Sequence, residues 1–145
     1  MSKLIALFCL FIITISLNFT QPALALDSNL KDQVAPLIER IMSLQSQGVE
    51  MDSLRKNPDR LAQCGKLMRY RQPIASSLYD EVSAFTDAYP PSAGYAGLVA
   101  QNLHSSAGNL SICVSCSRWA MESCSIASNS LKNAQKYLKK YSSKN

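Results

Sequence analysis

Residues 61–89 read LAQCGKLMRYRQPIASSLYDEVSAFTDAY, and the spacing inside them decides the fold. Leu61, Cys64, Met68, Arg71, Ala75, Leu78, Val82, Phe85 and Tyr89 recur at alternating steps of three and four. An α-helix returns to one face at that period, whereas a strand would alternate every second residue. Only Arg71 breaks the apolar rule, and it falls just before Pro73, where a bend is expected. Arg71 is therefore read as a surface residue at that bend rather than as a buried charge seeking Asp or Glu. Asn57-Pro58-Asp59 makes a helix start, with an Asn cap, Pro at the first helical position and an acid in the first turn. Pro90-Pro91 stops the helix.

The same period continues in both directions. Upstream, Leu30, Val34, Leu37, Ile41 and Leu44 form a helical stripe that should end near Gly48, with Pro36 starting or kinking it and residues 49–56 as a connector. Downstream, Ser92 can cap a shorter helix carrying Tyr95, Leu98, Val99 and Leu103, weakened at its start by Gly94 and Gly97 and stopped near Gly108-Asn109. A fourth helix carries Cys113, Cys116, Ala120, Cys124, Ala127, Leu131, Ala134 and Leu138. Its seam is made of small residues, which lets a partner helix approach closely. Four helices with short connectors predict an all-α antiparallel bundle.

The first 25 residues stand apart. Lys3 precedes an unbroken apolar run from Leu4 to Ile13, and Ala23-Leu24-Ala25 is a small-x-small cleavage pattern. The run is too short for a comfortable membrane span, which needs about 20 residues. Cys9 lies inside it without the small residues a lipoprotein signal places before its Cys. The expectation is a signal peptide over 1–25 and one helical domain over 26–145, exported to a periplasm, a thylakoid lumen or the extracellular space.

The chain has 145 residues, with 15 Lys and Arg against 10 Asp and Glu, one His and five Cys. One domain of that size can bury a core without metals or disulfides merely to fold. A single His excludes multi-histidine metal sites, and no cofactor motif is present. The positive charge is concentrated: residues 116–145 hold Arg118, Lys132, Lys136, Lys139, Lys140 and Lys144 against Glu122 alone.

Four cysteines beyond the leader of an exported chain read first as a disulfide framework. Three pairings are possible. On one continuous helix Cys116 and Cys124 are roughly 12 Å apart and Cys113 and Cys124 roughly 16 Å apart, beyond the reach of a disulfide. A continuous helix thus requires Cys113–Cys116 with Cys64–Cys124, and a break around 115–117 reopens the other pairings. Cys113-Val-Ser-Cys116 also has the spacing of a redox pair, in which Cys113 attacks a partner disulfide and Cys116 resolves the intermediate. The same two cysteines with Met68 or Met121 could hold Cu(I) or Zn(II).

Other candidates are weaker. His104-Ser105-Ser106 lacks a nucleophile elbow, and Asp80 and Glu81 point about 100° apart on a helix, poorly placed as an acid–base pair. Asn109-Leu110-Ser111 is a formal glycosylation sequon. Lys132, Lys136, Lys139 and Lys140 line one stripe beside Tyr137 and Tyr141. They complement a helix C-terminus electrostatically, or they dock an acidic protein or an anionic membrane surface. Nucleic acid is not an expected partner. The reading is a small exported binding or assembly factor rather than an enzyme, with a thiol–disulfide oxidoreductase as first alternative and a Cu(I)/Zn-binding protein as second. Tyr89 and Tyr95, beside Pro90-Pro91, are expected to extend the working surface.

Overall fold

Five helices account for most of the chain in the computed structural model, which describes residues 30–144. They are α1 (Leu30–Glu50), the one-turn α2 (Asp52–Arg55), α3 (Leu61–Ala88), α4 (Tyr95–Cys113) and α5 (Ala120–Ser142), and no strand occurs among the described residues. The leader and its cleavage pattern lie outside the described residues.

Contacts between the four long helices fix an up-down-up-down bundle. α3 runs antiparallel to α1, since Glu81 pairs with Arg40 and Arg71 reaches back to Gln47. α4 reverses again beside α3, with Gln72 donating to the Ser111 carbonyl at one end and Thr86 to the Ala100 carbonyl at the other. α5 returns along α4 and also touches α1, where Gln45 donates to the Cys124 carbonyl. Much of the core lies on the stripes read from the sequence: Leu37, Ile41 and Leu44 on α1; Ala75, Leu78 and Val82 on α3; Val99 and Leu103 on α4; Ala127, Leu131 and Ala134 on α5. Ala100, Ala107 and Leu110 of α4 are buried as well, outside the stripe expected for that helix. Small residues bring α4 and α5 so close that the buried Ser106 hydroxyl donates to the Ala127 carbonyl across the seam, at 2.8 Å.

Helix ends differ from expectation in ways that have physical causes. α1 ends two residues past Gly48, at Glu50, and α4 passes through Gly108-Asn109 to Cys113. Glycine is tolerated in a helix when the neighbouring backbone needs the space. A Cβ on Gly48 would lie 2.8 Å from the Cys113 carbonyl oxygen and closer still to its Sγ. Gly97, read as a weak first turn, presses on the Pro90 carbonyl in the same way, and Gly94 takes φ 62°, which lets the chain turn from the Pro90-Pro91 corner into α4. Pro36 and Pro73 lie within α1 and α3, both exposed, and each removes one backbone donor from its helix. The connector at 49–56 is largely helical, because α2 supplies one turn that buries Leu54. Asn57 caps as expected, its side chain accepting from the Asp59 N–H at 3.0 Å.

The principal correction concerns the fourth helix. The apolar stripe from Cys113 to Leu138 is not one helix, since α4 ends at Cys113 and α5 begins at Ala120. Two serines cause the break. Ser115 Oγ donates to the Ile112 carbonyl and accepts the Ser117 N–H, and Ser117 Oγ accepts the Trp119 N–H. Such hydroxyls offer the backbone an alternative to the next helical turn.

Because the chain reverses there, the expected pairing Cys113–Cys116 with Cys64–Cys124 does not form. The bridges are Cys64–Cys116, with Cα atoms 6.0 Å apart, and Cys113–Cys124, with Cα atoms 4.7 Å apart. The first spans 52 residues and the second 11. The chain-entropy estimate gives about 4 and about 3 kcal/mol respectively.

Candidate functional site

The fold presents two chemically distinct regions, a cationic face on α5 and a disulfide crossing at the opposite end of the bundle. The face follows from helix geometry. Ala127, Leu131 and Ala134 bury one side of α5, so residues about half a turn away point to solvent. Lys132, Lys136, Lys139 and Lys140 occupy that outward arc, all exposed, within about 100° around the axis and roughly 12 Å along it. No carboxylate among the described residues pairs with any of the four; the ion pairs found are Arg40–Glu81, Arg55–Asp52 and Lys56–Asp52.

Aromatic rings edge this face. Tyr95 at the start of α4 stacks on Tyr137 of α5, with centroids 6.3 Å apart. Lys140 Nζ lies 5.9 Å from both ring centroids and Lys144 Nζ lies 5.0 Å from that of Tyr95, distances at which a cation is attracted to the ring. Tyr95 is half-buried. Tyr89, expected on the exposed surface, is instead buried against Phe85, so it does not extend the face. Lys139 also lines a cleft of about 620 Å³ between α1 and α5, together with Leu138 and, from α1, Ile38 and the cation Lys31.

The disulfide crossing is built around α2 and the 114–119 turn. Met51, Leu54 and Cys64 form a small apolar cluster there, with Leu67, Met68 and Cys116 packed against it. Arg55, its side chain 6% exposed, ties three segments together. Its Nη1 donates to the carbonyls of Gly48 and Ser115 at 3.3 and 3.4 Å, and its Nη2 lies 3.2 Å from Asp52 Oδ1. Lys56 also pairs with Asp52. The Lys56 ammonium, with Arg55 beside it, holds the Asp52 carboxyl below the usual carboxylate range.

Arg71 is neither an exposed kink residue nor a partner of an acid. It is half-buried and donates to the Gln47 carbonyl at 3.0 Å. α1 has no basic residue in its last turn; from outside, Arg55 donates to the Gly48 carbonyl and Arg71 adds a second donor to the Gln47 carbonyl, which also accepts the Met51 N–H.

Cys113 and Cys116, the candidate redox or soft-metal pair, bond to different partners, which removes the basis for treating C-x-x-C as one unit. Met68 packs in the small cluster and Met121 is exposed on α5. His104 packs against Tyr79 with tilted rings, centroids 4.9 Å apart, and Ser105 bonds Ser130 across the α4–α5 seam. Glu81 is engaged by Arg40. No group of three or more metal-ligating side chains occurs among the described residues, and no helix there is long and apolar enough to cross a membrane.

The fold and these two regions define a doubly disulfide-stapled up-and-down four-helix bundle with a cationic outer face. Comparison with protein-family models, with curated proteins and with solved structures finds no match to this chain.

Proposed function

We propose that this protein is an exported, non-enzymatic docking or assembly factor that recognises an acidic protein surface through α5. The observation that carries the reading is the placement of Lys132 and Lys136. A helix macrodipole favours cations only within the last turn, which here holds Lys139 and Lys140. Lys132 and Lys136 lie one to two turns earlier, on the same outward arc and without a carboxylate partner among the described residues, so end-capping does not account for them.

A protein partner fits this face better than a bilayer does. The outward positions interleaved with the lysines are Asn129, Asn133 and Ser143, all exposed and polar. An interfacial helix anchors by burying an apolar face in the acyl region, whereas the arc of α5 that carries the lysines holds no exposed apolar side chain, Met121 and Ile126 being exposed nearer its other end. The half-buried Tyr95 and Tyr137 add the aromatic surface typical of protein interfaces. Export accords with two disulfides, which persist in oxidising compartments.

The test is binding of the oxidised protein to an immobilised polyglutamate peptide and to vesicles of anionic phospholipid, each across a salt series. The expected result is salt-sensitive capture by the peptide, lost when Lys132, Lys136, Lys139 and Lys140 become Gln, with weaker vesicle binding. Unchanged peptide capture by the variant, or stronger binding to vesicles, contradicts the proposal.

A further inference from the structure

The two disulfides stand in different surroundings. Cys113 and Cys124 are 0 and 1% exposed, and Gly48 lies against the Cys113 sulfur with no room for a methyl group. Cys64 is also fully buried, but its partner Cys116 is half-buried in the 114–119 turn. Cys116 lines a cleft of about 370 Å³ together with Asp52, Arg55, Lys56, Ser117 and Arg118. Three cations against one carboxylate leave that cleft positive. Thiol–disulfide exchange requires an attacking thiolate, itself an anion, to reach one sulfur of the bridge. Only Cys116 offers both access and an attractive field.

We propose that Cys64–Cys116 is an exchangeable bridge, opened by a dithiol reductant that carries negative charge around its thiols, with Cys116 as the sulfur attacked. In the first step the reductant's thiolate bonds to Cys116 Sγ as the Cys64–Cys116 bond breaks, and the electron pair leaves on Cys64. In the second, the reductant's other thiol attacks its own sulfur in the mixed disulfide and releases Cys116. The dithiol ends as a disulfide, and its two electrons and two protons end on Cys64 and Cys116 as thiols. Opening this bridge unties the turn from α3 beside the Met51–Leu54 cluster, while Cys113–Cys124 keeps α4 and α5 joined. The chemistry is independent of the lysine stripe on α5.

The experiment treats the native oxidised protein with limiting dithiothreitol, quenches at intervals with iodoacetamide and maps the alkylated cysteines by mass spectrometry. Cys64 and Cys116 should be labelled at least about tenfold sooner than Cys113 and Cys124, access being the controlling variable. Simultaneous labelling, or labelling of Cys113 and Cys124 first, overturns the proposal. With glutathione as a monothiol, the trapped adduct should sit on Cys116, and an adduct on Cys64 overturns the assignment of the attacked sulfur. Exchanging Lys56 and Arg118, both exposed, for Gln should slow glutathione, which carries further negative charge besides its thiolate, by about tenfold, and should slow β-mercaptoethanol, whose thiolate is its only charge, by less. Equal effects on both thiols, or none on glutathione, overturn the role given to the cations.

Discussion

Gly48 of α1 lies directly on Cys113, the last residue of α4, so that any side chain there would meet both the sulfur and the carbonyl of the buried bridge. This contact seats the end of one helix on the disulfide that joins two others. It predicts opposite outcomes for two glycine substitutions within helices.

Gly48→Ala gains helix propensity but overpacks the bridge and should destabilise the protein by about 1–3 kcal/mol. Gly65→Ala, on α3 with nothing near a new Cβ, should stabilise it by about 0.5–1 kcal/mol. Paired denaturant unfolding curves check both signs.

Arg71 and Arg55 donate to the last carbonyls of α1. Arg71→Ala should cost about 1–2 kcal/mol, the value of one charge-assisted hydrogen bond with part of its desolvation penalty. Arg55→Ala should cost more, because it strips donors from both Gly48 and Ser115 and leaves Asp52 with Lys56 alone. Reversal of that order in thermal unfolding would contradict the bridging role of Arg55.

Asp52 has its carboxyl held low by Lys56 and Arg55. It therefore binds a proton less readily folded than unfolded. Its stabilising contribution is complete above the ordinary Asp value of about 3.9 and disappears as pH falls through the lower folded value. Asp52→Asn should flatten the acid limb of a stability–pH curve below that value. An acid limb unchanged from that of the parent protein would contradict the Asp52 assignment.

Removing Cys64–Cys116 with paired Ser substitutions should lower stability by about 4 kcal/mol on the chain-entropy estimate while leaving the helical content of the folded protein intact. Circular dichroism with urea unfolding reads both quantities. Loss of the helical signal would show that the small cluster at this end is required by the whole bundle.

The four long helices were legible because each carries an apolar stripe at the helical period, and much of the observed core lies on those stripes. What the period concealed is equally specific. The stripe through Cys113, Cys116, Ala120 and Cys124 keeps helical spacing across a turn, so periodicity alone could not see that Ser115 and Ser117 divert the backbone. The disulfide pairing was lost with that break. The role of Arg71 was not legible because its partner is a backbone carbonyl at a helix end 24 residues away, a group every residue carries and no side-chain pattern marks. Gly48 read as a helix end and Gly97 as a weak first turn, yet each is required where another backbone passes close by. The lysine stripe was legible as a pattern, and the structure adds that its members are exposed and without carboxylate partners among the described residues.

Everything at the crossing depends on which sulfurs are joined. Proteolysis of the native, unreduced protein followed by mass spectrometry of the linked peptides decides it directly. The account predicts one linked pair holding Cys64 with Cys116 and another holding Cys113 with Cys124. A peptide joining Cys64 to Cys124, with Cys113 bonded to Cys116, would mean an unbroken last helix and would contradict the architecture described above.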